Sequence, residues 1–282
     1  MVEIDKILAN IEYLPPFPAI ISKALKRLKD PEISTDEIAE IVKFDQAIAS
    51  NVLRLCNSSY FGLRRTVTNL NEALVYIGLS RLKQILLLTG FNQYFDIKLM
   101  GYETQKGELW KHSLSTSIIA ENTRNIFKVS KNENIFISGL IHDVGKLVLG
   151  EFVAEAIQKI QNLVEKKEMT FLEAEKSVLS IDHAELGGKV LKMWNFPEEV
   201  INAVTKHHTP PVKDDSDLDN IIRLADSVSM EMGFGTAIDG QAYEIYSEIC
   251  NQYGIKYNAF LKKVMEDSLE EIQQIESEYG DS

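Results

Sequence analysis

Between Pro31 and Pro197 the chain contains no proline, so more than half of its length lacks the residue that most effectively interrupts a helix. Period-two alternation is hard to find there, whereas apolar residues recur along the chain at steps of three and four. Ile21, Leu25 and Leu28 follow this spacing, as do Ile38, Ile41 and Val42, then Ile48, Val52 and Leu55. The pattern predicts an all-α fold of amphipathic helices. Ser34 with Glu37 reads as a capping box, Asp45 opens the next helix, and the turn residues of Asn57 to Gly62 end it. Further helices are predicted near Leu109–Asn125, Glu133–Asp143, Phe152–Lys167, Phe171–Val178, His183–Trp194, Glu198–Lys206 and Ile221–Met232.

A polar stretch from Gly101 to Gly107 suggests a joint between two lobes, residues 1–100 and residues 101–282. In the first lobe, a helix near Asn71–Ile77, a break at Gly78 and a second helix from Ser80 to Phe95 superficially match a helix-turn-helix. Leu82, Ile85, Leu86 and Leu88 make that second helix apolar, which suits burial rather than base reading. Arg64, Arg65, Arg81 and Lys83 are then surface charges, or at most part of a partner-binding face. The Leu14 to Phe17 cluster is expected to pack internally, and Tyr60 and Phe61 are candidates for an exposed binding face.

The net charge is −12, from 30 Lys+Arg against 42 Asp+Glu, so no nucleic-acid partner is expected. No apolar run approaches the ~20 residues of a spanning helix, so no membrane partner is expected either. The opening segment carries Glu3 and Asp5 where a secretion signal needs basic residues, and only Cys56 and Cys250 are present. Both features point to a cytoplasmic, reducing compartment.

Chemistry concentrates in the histidines. All five, His112, His142, His183, His207 and His208, fall in the second lobe. His142 is followed directly by Asp143 late in an apolar helix, and adjacent helical positions point about 100° apart, so the pair can straddle one ion. Imidazole with carboxylate suits Fe, Mn, Zn or Ni. The bland alternative is an N–H to carboxylate bond that ends a helix.

In this region the sequence resembles the HD superfamily of metal-dependent phosphohydrolases, whose members carry a histidine, a His-Asp doublet and a later aspartate on separate helices. His112, His142-Asp143 and Asp226 fall in that order. His183 and the pair His207-His208 are similar to the additional histidines of the HD-GYP branch, and Lys146 matches the lysine of its HDxGK signature. Several longer motifs, LPPFPAIISKALKRLKD, FDQAIASNVLRLCNS, VTNLNEALVYIGLSRLKQ, IHDVGKLVL and HAELGGKVLKMWNFPEEV, resemble the HDOD domain over roughly Ile11 to His208.

The HDOD resemblance implies a two-lobed fold, with a helical lobe packed on an HD-like lobe, and a bacterial signal-transduction role exercised through a protein partner rather than through hydrolysis. The HD and HD-GYP resemblance implies a metal site of one to two divalent transition ions (Fe, Mn, Ni or Zn) held by His112, His142, Asp143, His183, His207, His208 and Asp226. His183 could instead simply start a helix, and one of His207 and His208 is expected to cap a helix end rather than ligate. The competing expectation is a phosphohydrolase or phosphodiesterase acting on a nucleotide. Lys146 would then be catalytic, held on a phosphate; otherwise it is a solvated helix-end cation. Thr209-Pro210-Pro211 stand where the HD-GYP element would follow, which speaks against cyclic-dinucleotide hydrolysis.

Overall fold

The computed structural model describes residues 4–11, 19–28, 30, 32–57, 66–95, 99–102, 105–167, 169–235 and 246–279. Among them the regular elements are all helical, with no strand. In chain order they are α1 (Ile4–Ile11), α2 (Ala19–Arg27), α3 (Thr35–Val42), α4 (Gln46–Cys56), α5 (Leu70–Phe95), α6 (Glu108–Phe127) and α7 (Ile135–Ile141). Next come α8 (Lys146–Lys167), α9 (Phe171–Leu179), α10 (His183–Met193), α11 (Glu198–Lys206), α12 (Asp217–Glu231), α13 (Tyr246–Gln252) and α14 (Tyr257–Tyr279). A short 3-10 turn, Met100–Tyr102, lies between α5 and α6. The Leu14 to Phe17 cluster, Tyr60, Phe61, Arg64 and Arg65 lie outside the described residues.

The chain divides into two compact units. One comprises Pro16–Tyr94 with Glu270–Ser282; the other comprises Met1–Pro15 with Phe95–Leu269. This grouping places the first fifteen residues with the later part of the chain and the last thirteen with the earlier part.

In the first unit α2 packs on α3. Ser34 caps α3 by accepting the Glu37 N–H at 3.2 Å, while the Glu37 carboxylate turns to Arg27 at 2.8 Å. Asp45 likewise accepts the Ile48 N–H at 3.0 Å and opens α4. Asn57 then clamps Val67 through both main-chain groups, donating to its carbonyl at 2.8 Å and accepting its N–H at 2.7 Å. The helical break falls at Gly78, whose φ of 72° and ψ of 165° divide α5. That conformation is accessible to glycine and strained for other residues. Leu70–Phe91 is long and apolar enough to cross a membrane by length and composition, but the break leaves no uninterrupted helical span of ~20 residues. Leu82, Ile85, Leu86 and Leu88 are buried, as their apolar character requires.

The second unit is built around α6, which packs against α7 and α12; α11 packs on α7, α10 and α12, and α8 on α9, α10 and the 3-10 turn. Full reciprocal capping boxes start α9 (Thr170 with Glu173) and α12 (Ser216 with Asp219). They satisfy N–H groups that a helix leaves unpaired at its start. This arrangement brings the end of α7, the start of α10, the end of α11, the second turn of α6 and the middle of α12 to one buried point. Cys56 and Cys250 are buried free thiols that burial pushes up to about 12, so neither is a reactive thiolate.

Candidate metal centre

All seven residues expected to hold metal converge there. His112 projects from α6 and Asp226 from α12, while His183 is the first residue of α10. His207 caps the end of α11, with His208 following it. His142 and Asp143 sit in the turn after α7 rather than within a helix, because α7 ends at Ile141 and α8 begins at Lys146. Gly145 makes that turn possible: a Cβ there would lie 1.9 Å from the His183 carbonyl oxygen and 2.7 Å from the Gly187 nitrogen. The turn can therefore press directly against α10.

The donor atoms form two groups joined by one carboxylate. His112 Nε2, His142 Nε2 and Asp226 make one, with His112 to His142 at 3.1 Å and His112 to Asp226 Oδ1 at 3.1 Å. Asp143, His183, His207 and His208 make the other, with His183 Nε2 and His208 Nε2 3.0 Å apart. Asp143 faces both: its Oδ2 lies 3.5 and 3.4 Å from His112 and His142, and its Oδ1 lies 3.6 and 3.7 Å from His183 and His207.

The outer nitrogens explain how the rings are aimed. His142 Nδ1 donates to the Gly139 carbonyl at 2.8 Å, and His207 Nδ1 donates to the Val204 carbonyl at 2.6 Å. His183 Nδ1 donates to Glu175 at 2.8 Å, while His112 Nδ1 meets Ser229 Oγ at 3.1 Å. Proton-bearing Nδ1 atoms leave the Nε2 lone pairs of His142, His183 and His207 pointing inward, the arrangement metal-ligating imidazoles use. Capping and inward aim are thus not alternatives: His207 uses one nitrogen for each.

The residues present fit an ion. Asp143 Oδ1 and His207 Nε2 are buried without a hydrogen-bond partner, a costly state for polar atoms unless something else satisfies them. His112 Nε2 and His142 Nε2, and His183 Nε2 and His208 Nε2, lie about 3 Å apart in pairs, and the N/O donor set suits Fe, Mn, Zn or Ni. Lys146 departs from both expectations: it is 2% exposed, neither solvated nor open to a phosphate, and bonds Asp143 Oδ2 at 2.6 Å.

Electrostatics divide the histidines. Burial opposes charge on His142 and His183, but Asp143 and Asp226 beside the former and Glu175 beside the latter prevail and raise both above 6.5. Burial holds His207 and His208 below the usual value. Burial would push Asp143 and Asp226 up; Lys146 and the imidazoles around Asp143, and the bonds from His112 and His142 to Asp226, hold both carboxyls well below the ordinary range.

Protonated imidazole cannot ligate, so protons at His142 and His183 compete with metal first. Occupancy is therefore expected to begin falling above pH ~6.5 and to continue falling as pH drops. Elemental analysis of protein equilibrated across pH 5.5–8 checks this; constant occupancy down to pH 5.5 would contradict it.

Sequence reasoning missed the residues behind the ligands: Glu175, Tyr102, Ser229 and Arg223. Glu175 left one signal, since it lies four residues after Phe171 and four before Leu179, on the face that periodicity reserves for apolar side chains. Tyr102 lies in the segment read as a polar joint, yet it is fully buried.

Comparison with known proteins follows the same lines. The family model of the HDOD domain matches residues 14–210. An uncharacterised protein of Treponema pallidum (strain Nichols) is 23% identical over 206 residues, covering 72% of this chain; the match spans 39% of that protein's length. An HDOD domain protein of unknown function from Geobacter sulfurreducens superposes with a TM-score of 0.78 at 21% identity, covering 98% of this chain and 96% of its own. A protein from Shewanella amazonensis SB2B, named as a candidate phosphohydrolase, gives a TM-score of 0.70 at 18% identity, with 95% and 97% covered.

Proposed function

Because the chain belongs to the HDOD domain family, we propose that it is a cytoplasmic bacterial regulatory module that signals by binding a protein partner, with a buried HD-type centre for one to two divalent transition ions. The observation that carries this reading is Lys146. The cation that a hydrolase would hold on a substrate phosphate is instead committed to Asp143 at 2.6 Å and is 2% exposed. Positioning of the substrate supplies much of a barrier reduction, and Lys146 is not placed to contribute to it.

His112, His142, Asp143 and Asp226 would hold one ion, and Asp143, His183, His207 and His208 the other. A bound ion supplies Lewis acidity and lowers the pKa of its water. The chain's own residues aim the imidazoles and keep bulk water out, since none of the seven exceeds 9% exposure. An ion joining five segments, α6, the α7–α8 turn, α10, the end of α11 and α12, would make occupancy a condition of the unit's internal packing. That is how such a centre could serve regulation.

A second reading, a metal-dependent phosphohydrolase acting on a nucleotide, has one observation in its favour. A cleft reaches His207 and His208 and is lined also by Thr209, Arg223, Ser227, Tyr246 and Ile249, of which the hydroxyl groups could meet a phosphate. Purified protein reconstituted separately with Fe, Mn, Ni and Zn separates the two. We expect no turnover of cyclic dinucleotides, cyclic mononucleotides or nucleoside triphosphates. Turnover in the parent that disappears in His142→Ala would make the enzyme reading right and the regulatory one wrong.

A further inference from the structure

Among the four histidines whose Nδ1 hydrogen bonds are described, His183 alone is backed by a carboxylate; main-chain carbonyls back His142 and His207, a hydroxyl meets His112, and His208 Nδ1 stands 3.6 Å from Asp226 Oδ2. Glu175 comes from α9 and is fully buried. Its Oε2 takes two hydrogen bonds from one residue, the His183 N–H at 3.1 Å and the His183 Nδ1–H at 2.8 Å. The first satisfies a main-chain donor left over at the start of α10; the second fixes which ring nitrogen carries the proton. Its other oxygen, Oε1, accepts the Tyr102 hydroxyl from the 3-10 turn. Tyr102 is also fully buried, meets the His183 ring edge-on with centroids 6.2 Å apart, and lies under Lys146 Nζ at 5.5 Å from its ring centroid.

A buried glutamate on the apolar face of a nine-residue helix is costly unless its bonds are worth having. Here both oxygens are directed, one at a candidate ligand and the other at the group that locks the glutamate itself. A carboxylate behind an imidazole makes it a stronger donor and restrains its ring, and loss of such a partner typically costs ~10–100-fold in metal affinity. No such group stands behind His112 or His142 among the described residues. The two halves of the centre are therefore built to different standards.

We infer that Glu175, locked by Tyr102, is a positioning residue that sets the affinity of the ion position formed by Asp143, His183, His207 and His208, and leaves the His112–His142–Asp226 position unaffected. The inference rests on the metal centre proposed above and adds the rule by which its two positions differ. Glu175→Gln keeps the shape and a hydrogen-bond acceptor but removes the charge, and Tyr102→Phe removes only the hydroxyl that holds the carboxylate.

The test is titration of chelator-treated full-length protein with Mn²⁺ alone, followed by elemental analysis and electron paramagnetic resonance. The parent should bind two ions whose signals are mutually coupled at saturation. Glu175→Gln should retain one ion at parental affinity and bind the second ~10–100-fold more weakly, giving the spectrum of an isolated Mn²⁺ at stoichiometries that saturate the parent. Tyr102→Phe should weaken the same ion by a smaller factor. A purely structural role would weaken both ions together or neither, and either result in the two variants overturns the inference. A parent that takes up no ion overturns the metal reading itself, and this inference with it. Circular dichroism establishes that each variant is folded; should Glu175→Gln fail to fold, Tyr102→Phe decides the matter.

Discussion

Replacing Asp143 with alanine is expected to abolish metal uptake at both positions and to destabilise the chelator-treated protein by about 3–5 kcal/mol, the usual cost of removing one partner from a buried ion pair. The carboxylate is fully buried, and its Oδ2 is bonded to Lys146, itself 2% exposed. Alanine leaves the ammonium buried without the carboxylate it bonds, and desolvation of a charge outweighs any loss of packing at this site. Adding Lys146→Met removes the stranded charge and should recover most of the stability, while metal binding stays lost. Urea unfolding in the presence of chelator measures both effects; a single variant within ~1 kcal/mol of the parent would show that the pair is not a buried one in solution.

The same pair sets an acid limb. The folded-state value of Asp143 lies well below its unfolded value near 3.8. Its contribution is therefore fully present above that unfolded value and is lost as pH falls through the folded one. The double variant should show a shallower decline in stability at low pH than the parent.

Replacing Arg223 with methionine should cost about 3 kcal/mol and loosen the two adjacent histidines. Its guanidinium bonds Asp215 at 2.8 Å, with side-chain exposures of 4% and 0%. It also donates from Nε to the Lys206 carbonyl at 3.1 Å, from Nη1 to Asn220 at 3.0 Å and from Nη2 to Thr209 Oγ1 at 3.3 Å. Lys206 and Thr209 flank His207 and His208, so one side chain of α12 grips the chain on both sides of two candidate ligands. Asp215 keeps Lys206 at 2.9 Å after the substitution, which places the cost at the low end for a broken buried pair. Lysine should not rescue it, because a single ammonium cannot reproduce the fork that serves four acceptors at once. Calorimetry should show the loss, and metal titration should show weakening confined to the position that includes His207 and His208. Equal behaviour of Arg223→Lys and the parent would refute the brace.

The family resemblance and the candidate ligands were legible because both depend on residue type and order along the chain. Five histidines in one lobe, a His-Asp doublet and a later aspartate, Asp226, do not need coordinates to be noticed. Capping residues were legible for a local reason: Asp45 acts within one turn of itself. The His142–Asp143 turn was not legible, since an apolar run that continues into VGKLVL has the same period whether the helix breaks or not. Only the approach of α10 to Gly145, too close for any side chain, forces the break.

The sequence by itself determined the helical class, through apolar spacing without proline, and the chemistry available, through the histidines and aspartates it places in order. Tertiary structure alone decided which of these groups share a centre, and with what. The seven ligand candidates span more than a hundred residues, from His112 to Asp226, and periodicity describes only one face of one helix at a time. The partners that aim them are of the same kind: Tyr102 to Glu175, Glu175 to His183, Lys146 to Asp143 and Arg223 to Asp215. Each is an ordinary residue whose role comes from being desolvated beside the groups it bonds. Burial turns a common charged side chain into one that must be paired, and burial is a property of the packed fold rather than of the local sequence.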